Sequence, residues 1–229
     1  MGELTISAVM PVRDGAPYLR EAIDSVLAEP EISELIVVDD GSTDATPEIL
    51  ESYGDRIRAV HQPATCQAAA MNHGVREATG DLVAMQDSDD LWPPGRTRAL
   101  RAALTGDIEA VFGWIEQFVT PELDDDERSR LQVDTRPQAS YLLQTSLIRR
   151  DAFWRIGPLD ESLSSSANID WISRARVGGL RTTVVSDIVL RRRVHRSNLG
   201  RRLGAQKQDD LLRVVRAHLE RHRDSGARP

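Results

Sequence analysis

The sequence predicts an α/β domain with a mixed, mainly parallel sheet that carries helices on both faces. Strand and helix patterns alternate through the first 90 of its 229 residues, which implies parallel strands joined by right-handed crossovers. The apolar run at 35–38 is typical of a strand that is covered on both faces. With 40% hydrophobic and 28% charged residues, the chain also has the composition of a globular domain.

The first half supplies the elements of this sheet in order. Leu4–Val12 is apolar and rich in β-branched residues, which predicts the first strand, and apolar residues at helical spacing predict a helix over 17–28. Further strands are predicted at 35–38, 57–61 and 81–86, and helices at 45–53 and 65–79, with Asp44 capping the first of these two. Ligands bind outside the carboxyl ends of such strands. The acidic clusters 39–40 and 87–90 both lie there.

The second half predicts strands at 110–119, 140–148 and 182–190 and helical patterns at 151–156, 169–177 and 209–219. The acidic stretch 120–138 has no apolar period and is predicted to be a loop. We therefore expect one domain over 1–203, in two halves at 1–95 and 96–203. A C-terminal helix and tail would follow at 204–229.

Composition excludes several classes of function. Twenty-nine basic against 36 acidic residues give a net charge of −7, which argues against a nucleic-acid partner. The single cysteine excludes an intrachain disulfide. The chain shows no signal-peptide pattern and no apolar run of ~18 residues, so no transmembrane segment and a cytoplasmic location are expected. Arginines on the last helix leave peripheral membrane contact open.

The charge is unevenly distributed along the chain. Acidic residues gather at 39–40, 87–90 and 122–127, whereas 191–202 holds six arginines and a histidine. Clustered carboxylates repel one another unless a cation is present, and hard oxygen ligands suit Mg²⁺ or Mn²⁺. The alternative for 87–90 is a set of turn and capping carboxylates before a helix that begins near Pro93.

Four segments, in this order, resemble family-2 glycosyltransferases of the GT-A, Rossmann-like fold. Val9–Leu19 (VMPVRDGAPYL) is similar to the family's first strand and turn, and Glu34–Asp44 (ELIVVDDGSTD) to its second strand and acidic turn. Ala68–Gly80 (AAAMNHGVREATG) resembles the third helix, and Asp87–Asp90 (DSDD) the Asp-x-Asp signature. The resemblance implies an enzyme that moves a sugar, with inversion, from a nucleoside-diphosphate sugar, most often UDP-linked, to an acceptor hydroxyl.

The resemblance also implies roles for individual residues. The nucleobase pocket would be lined by Pro11, Arg13 and Asp40, with Asp40 accepting from a ring N–H and Arg13 standing where the family commonly has an aromatic residue. Asp87 would lie near the ribose, and Asp89 would hold Mn²⁺ or Mg²⁺ on the diphosphate. Such a cation stabilises the charge of the departing nucleotide. Val12 and Ser88 are also predicted to bind the nucleotide sugar. The resemblance thus makes 1–95 the nucleotide-binding half and 96–203 the acceptor-side half, with the loop 120–138 on the acceptor side.

Transfer to a hydroxyl also needs a general base, which the family supplies from a Glu-Asp pair at a helix start. Asp170, 81 positions after Asp89, is the residue predicted for this role, although Ile169 stands where the Glu is expected. The alternative is a carboxylate that is favoured at a helix N-terminus by the helix dipole.

The late segment Leu190–Asn198 (LRRRVHRSN) resembles the family's Arg-x-His segment. His195 is accordingly a predicted metal or phosphate contact, and Arg192, Arg193 and Arg196 are predicted to face the diphosphate, Arg193 foremost. The alternatives are a structural histidine and a solvated basic face. Trp92 and Trp171 are either sugar-stacking or core residues.

Two rival functions remain open at this stage. One is a nucleotide-sugar-binding pseudoenzyme or partner subunit, which Ile169 and Arg13 favour. The other is a nucleotidyltransferase, which would carry a Gly-rich basic loop after the first strand, a poor match to 13–16. The sequence leaves the donor sugar, the nucleotide base and the acceptor undetermined.

Overall fold

The structure is a computed structural model that describes residues 4–120, 123, 126, 133–163, 166–195 and 204–224. Its strands are β1 (Ile6–Val12), β2 (Glu34–Asp39), β3 (Arg58–His61), β4 (Leu82–Met85), β5 (Ala110–Val119), β6 (Gln138–Ala139), β7 (Ser146–Arg149) and β8 (Thr182–Val194). Its helices are α1 (Leu19–Leu27), α2 (Thr46–Glu51), α3 (Gln67–Glu77), α4 (Arg96–Ala103), α5 (Arg150–Ile156), α6 (Ala167–Val177) and α7 (Gly204–Asp224). Two 3₁₀ turns cover Gly54–Arg56 and Leu143–Thr145.

The eight strands form one mixed sheet in the order β3-β2-β1-β4-β7-β5-β6, with β8 pairing with β5. The first four strands of this order are parallel, as predicted. Strand β7 runs antiparallel to both β4 and β5, and β8 runs parallel to β5. The predicted fold class is confirmed.

Helices cover both faces of the sheet. Every residue of β1 is buried because apolar side chains pack against it from both sides. One core cluster joins the sheet to α1, α2 and α4. The other joins it to α3, α5, α6 and Val214 of α7. Helix α1, for example, presents a buried apolar stripe of Leu19, Ala22, Ile23 and Val26.

The structure differs from the prediction at 140–148. Only 146–149 is a strand, and 143–145 forms a 3₁₀ turn instead. The hydroxyl of Thr145 donates to the carbonyls of Ser140 and Leu142, and that of Ser146 donates to Leu143. These local side-chain bonds offer the backbone an alternative to the extended ladder. The turn points Gln144 into the interior, where only 4% of it is exposed.

Strand β8 is longer than predicted and continues to Val194. Its pairing with β5 extends as far as Val119↔Val194, so ladder hydrogen bonds support a segment rich in arginine. This extension carries Arg191–Val194 to the edge where the first four strands end. Among the helices of the described part, none is long and apolar enough to span a bilayer.

Candidate functional site

The turns after β1 and β2 are tied together by side-chain hydrogen bonds. The Asp14 carboxylate accepts from the backbone N–H of Thr43 at 2.8 Å, and the N–H of Asp14 donates to Ser42 Oγ at 2.9 Å. Asp14 has a φ of +51°, a left-handed conformation that an aspartate tolerates better than most residues. Of the residues predicted here, Pro11 and Val12 are buried in the strand end and Arg13 is exposed at the rim.

Asp40 is buried at the carboxyl end of β2. Its N–H donates to the Val12 carbonyl at 2.8 Å, which holds it beside the end of β1. Its Oδ1 accepts from Gln62 Nε2 and from both the N–H and hydroxyl of Thr65, at 2.7 to 2.9 Å. The carboxylate is therefore oriented by the segment that leads into α3.

Asp87 follows β4 and lies against the start of α3. Gln67 Nε2 donates to it at 2.9 Å, and Gln144 Nε2 donates to its two oxygens at 3.0 and 3.1 Å. Burial, together with the charge of Asp89, raises the pKa of Asp87 to about 6 despite these donors. Ser88, next to it, packs beside Gly15 in the turn after β1.

Three carboxylates converge at this point. Ligand oxygens of Asp87, Asp89 and Asp90 all lie within 4.8 Å of one another. The pKa of Asp90 is raised well above its usual range by burial and by the charges of Asp89 and Asp87. Such crowding disfavours three ionised groups, and a divalent cation with hard oxygen ligands would relieve it. The donor set therefore fits Mg²⁺ or Mn²⁺.

His195 reaches this cluster from the end of β8. Its Nε2 lies 2.9 Å from Asp89 Oδ2, and its ring packs against that of Tyr18 with centroids 4.7 Å apart. The structure thus brings together the two residues predicted to bind metal, Asp89 and His195. Their ligand roles stay predictions.

Arg193 also reaches the cluster, but it lies beneath it. Its Nε donates to the Asp89 carbonyl at 2.8 Å and its backbone N–H to Asp90 Oδ1 at 2.7 Å. The guanidinium donates to Glu21 at 2.6 Å and sits between the rings of Tyr18 and Phe118.

At 5% exposure, Arg193 supports the loop that carries Asp89 and Asp90. Its contact with a diphosphate stays a prediction. The neighbouring Arg192 is exposed. Burial raises the pKa of Asp87 and Asp90, and the charge of Arg192 opposes that rise.

Asp170 lies near the start of α6 and is 6% exposed. Its Oδ2 accepts from Arg174 Nε at 2.7 Å, and its Oδ1 from Arg221 Nη2 of α7 at 3.1 Å. The cleft next to Asp87 is lined instead by Asn168 of the same helix. The catalytic role of Asp170 stays a prediction, but the structure does not place it on the cleft wall.

Both tryptophans beside the predicted site are core residues. Trp92 is 3% exposed and stacks on the guanidinium of Arg96 at 3.8 Å. Trp171 is fully buried, and its indole N–H donates to the Gly157 carbonyl at 2.9 Å. Most of the acidic run 122–127, with its predicted loop role, and Arg196 lie outside the described residues.

Sequence reasoning missed the residues that orient the carboxylates. Thr65 and Gln67, two positions apart before and at the start of α3, hold Asp40 and Asp87 respectively. Their position in the first turn of the predicted helix 65–79 was a usable signal. Gln144 had no such signal, because the segment that carries it was predicted to be a strand.

Comparison with known proteins places this arrangement in a family. Residues 7–157 match the family described as Glycosyl transferase family 2. An uncharacterised glycosyltransferase of Rickettsia typhi is 32% identical over 206 residues, which is 83% of this chain and 64% of that protein. An uncharacterised glycosyltransferase of Nostoc is 30% identical over 162 residues, which is 68% of this chain and 49% of that protein. The chain thus spans less than two thirds of the length of these relatives.

Solved structures share the fold at low sequence identity. Staphylococcus aureus TarS 1–349 superposes with a TM-score of 0.70 at 19% identity, covering 95% of this chain and 65% of that one. A mannosyltransferase of Pyrobaculum calidifontis, solved with GDP-Man and Mn²⁺, gives 0.69 at 18% identity, covering 96% and 65%. These likenesses show the GT-A fold.

Proposed function

The chain belongs to glycosyltransferase family 2, and from this membership we propose that it transfers a sugar from a nucleoside-diphosphate sugar to an acceptor hydroxyl. The observation that carries the proposal is the convergence of Asp87, Asp89 and Asp90 at the ends of the parallel strands. Asp40 lies at the end of the neighbouring β2–β1 pair. This spacing supports separate positions for the nucleobase and the diphosphate along one edge of the sheet.

In this proposal the nucleobase lies over the ends of β1 and β2. Pro11 and Val12 form the floor, Arg13 covers the rim, and Asp40 accepts a hydrogen bond from the base through an oxygen oriented by Thr65. Asp87 and Ser88 lie near the ribose. We propose a UDP-linked donor; TarS has been solved with UDP-GlcNAc, and the Pyrobaculum mannosyltransferase with GDP-Man.

Asp89, with Asp87, Asp90 and His195, would hold a divalent cation, Mn²⁺ or Mg²⁺. A bound cation would neutralise the diphosphate and stabilise the charge that develops as it leaves. Arg192 is the exposed basic side chain that acts on the same carboxylates, and we assign it rather than Arg193 to the diphosphate. Transfer would proceed with inversion, by direct attack of the acceptor oxygen on the anomeric carbon.

The two predicted halves enter the proposal as functional parts of one domain. Residues 1–95 contain the proposed donor contacts of β1, β2 and β4, and 96–203 contain the side from which an acceptor would approach. Residues 204–224 add a helix packed on α6 through Val214.

The contacts of Asp170 favour a second candidate function, that of a protein which binds the donor without turnover. Its carboxylate is engaged by two guanidinium groups, Arg174 and Arg221. Both carboxylate oxygens accept from these donors, and Asp170 is not among the residues that line the cleft next to Asp87.

Donor binding tests the proposal directly. Thermal shift and calorimetry with UDP, UDP-GlcNAc, GDP and GDP-Man, each with Mn²⁺ or with EDTA, are expected to show metal-dependent stabilisation by at least one of them. Asp89→Asn should abolish the metal-dependent part, whereas Asp55→Asn, at an exposed carboxylate outside the cluster, should retain it. If none of the four compounds stabilises the wild-type protein, the proposal fails. Release of UDP or GDP from the sugar donors then separates the two candidate functions.

A further inference from the structure

A small cleft adjoins Asp87. It lies between the start of α3, the 3₁₀ turn 143–145 and the start of α6, and its polar walls are Gln67, Gln144 and Asn168. The first two are the amides that donate to Asp87. The lining residues that the structure describes include three carboxamides and no carboxylate.

Asn168 and Asp170 occupy different sides of α6. The helix begins at Ala167, so Asn168 is its second residue. A residue two positions further along a helix points about 200° further round the axis. Asn168 is half-buried against the cleft, whereas Asp170 is 6% exposed and turned toward α7.

The contacts of Asp170 make it a junction between structural elements. Arg174, which binds its Oδ2, also donates to the carbonyls of Ile156 and Pro158 at 2.8 and 2.7 Å. Arg221, which binds its Oδ1, also donates to Ser173 at 3.1 Å. The carboxylate thus joins α6 to the turn after α5 and to α7, a role that requires it to stay in place.

We infer that Asn168, not Asp170, is the residue of α6 that faces the reacting sugar, and that this wall carries an amide where a proton acceptor is needed. The inference rests on the proposed glycosyl transfer. Asp170 becomes a positioning residue, which fixes α6 and thereby the wall of the cleft.

The chemistry of the transfer gives this inference a kinetic consequence. An acceptor oxygen forms a bond to the anomeric carbon while the bond from that carbon to the diphosphate oxygen breaks, and the nucleoside diphosphate leaves with the electron pair. The acceptor's proton must go elsewhere. A neutral amide does not take it at neutral pH, so in this chain it passes to solvent water and transfer to water or to a neutral hydroxyl is slow.

Asn168→Asp tests the inference with water as acceptor. The probe is Mn²⁺-dependent release of UDP from UDP-GlcNAc, or of GDP from GDP-Man if that donor binds instead. A carboxylate at 168 should raise the release rate at least tenfold, since a positioned base contributes roughly 10²–10⁴ in favourable geometry. The gain should disappear as the pH falls and the new carboxylate is protonated. Asn168→Ala, the matched control, should give no gain.

Asp170→Asn supplies the opposing measurement. We expect a lower melting temperature, because two guanidinium groups lose their ionised partner, and a fall in release rate of less than about threefold for the folded protein. If Asp170 were the general base, its removal would instead lower the release rate by about 10²–10⁴-fold.

The inference is overturned if Asn168→Asp and Asn168→Ala release nucleotide at the same rate. It is also overturned if Asp170→Asn loses more than a hundredfold in rate with donor affinity and melting temperature intact. Donor affinity of the wild type, measured with Mn²⁺ by calorimetry, keeps the two proposals apart. Failure to bind any donor refutes the proposed function itself, whereas binding without the Asn168→Asp gain refutes only the assignment of Asn168.

Discussion

At the scale of single residues, the site is built from carboxylates whose partners differ in kind. Two side-chain amides hold Asp87, and two guanidinium groups hold Asp170. Asp40 is held by the amide of Gln62 together with the backbone N–H and hydroxyl of Thr65. Amide donors orient a carboxylate without neutralising it, so Asp87 remains able to bind a cation. Guanidinium groups neutralise it, so Asp170 stabilises structure.

The raised pKa of Asp87 predicts how stability without metal depends on pH. Its pKa is about 6 in the folded protein against 3.8 for an ordinary aspartate, so the folded state binds more protons between these values. The contribution of Asp87 to the free energy of unfolding is therefore fully present below pH ~4, and it is lost as the pH rises through about 6. Thermal melts in EDTA from pH 4.5 to 7.5 check this direction for the wild type against Asp87→Asn.

Mn²⁺ should offset this loss of stability at higher pH. Its effect should be largest above pH 6, where Asp87 is ionised and can bind it. The Asp87→Asn variant should show a flatter profile in EDTA. A wild type whose profile matches that of Asp87→Asn would contradict the assignment of the shift to Asp87.

Arg193 is expected to control metal affinity without being a ligand. Arg193→Met removes the bonds to the Asp89 carbonyl and to Glu21, each worth about 1.5–3 kcal/mol where a charged group is involved. We expect a melting temperature lower by several degrees and Mn²⁺ affinity reduced roughly tenfold by calorimetry with UDP present. Arg191→Met is the matched control, because Arg191 lies two residues earlier on β8 with an exposed side chain. Equal effects of the two changes would contradict the supporting role of Arg193.

At the scale of elements, α3 organises the donor side. Its N-terminal segment orients Asp40 and Asp87, and its middle packs closely on the sheet at Gly74. A Cβ at Gly74 would collide with Val9 Cγ1 and press on Val38 Cγ2. The close approach of helix and sheet therefore requires a residue without a side chain at this position.

Gly74→Ala should destabilise the protein. The gain in helix propensity is up to ~1 kcal/mol, whereas overpacking a buried valine on a strand costs about 1–3 kcal/mol. The valine has little room to rotate, so the cost is expected to exceed the gain. Urea unfolding measures the difference, and Arg76→Ala, on the exposed side of α3, should change stability by less than ~0.5 kcal/mol. An unchanged or higher midpoint for Gly74→Ala would show that the helix can move away from the sheet.

At the scale of the whole molecule, the net charge of −7 conceals an acidic and a basic region of the chain, which meet in the fold. The acidic ends of β2 and β4 and the arginine-rich end of β8 converge at one edge of the sheet, where Arg193 contacts both Asp89 and Asp90. The overall charge argues against a general nucleic-acid binder, but only its distribution predicts a cation and diphosphate site.

Removal of residues 204–229 tests the division between domain and C-terminal helix. Helix α7 buries Val214 and supplies Arg221 to Asp170 and Arg213 to Ser162. The shortened protein should therefore melt at a lower temperature, while donor affinity measured with Mn²⁺ should stay within about threefold, because the proposed donor contacts lie at the ends of β1, β2, β4 and β8. A loss of donor binding in a shortened protein that is still folded would show that α7 belongs to the donor site.

The sequence by itself determined the sheet, most element positions, the family resemblance and the acidic edge, because these depend on local apolar periodicity and on short motifs next to strand ends. It did not determine that Gln144 holds Asp87, that Arg193 lies beneath the cluster, or that Asp170 faces α7 while Asn168 faces the cleft. Each of these depends on which way a side chain points after distant segments pack. Gln144 is 57 residues from Asp87, Arg193 is 104 from Asp89, and Arg221 is 51 from Asp170. Only the tertiary structure decides such pairs, since the free energy of burying and pairing a charge depends on neighbours that local sequence does not specify.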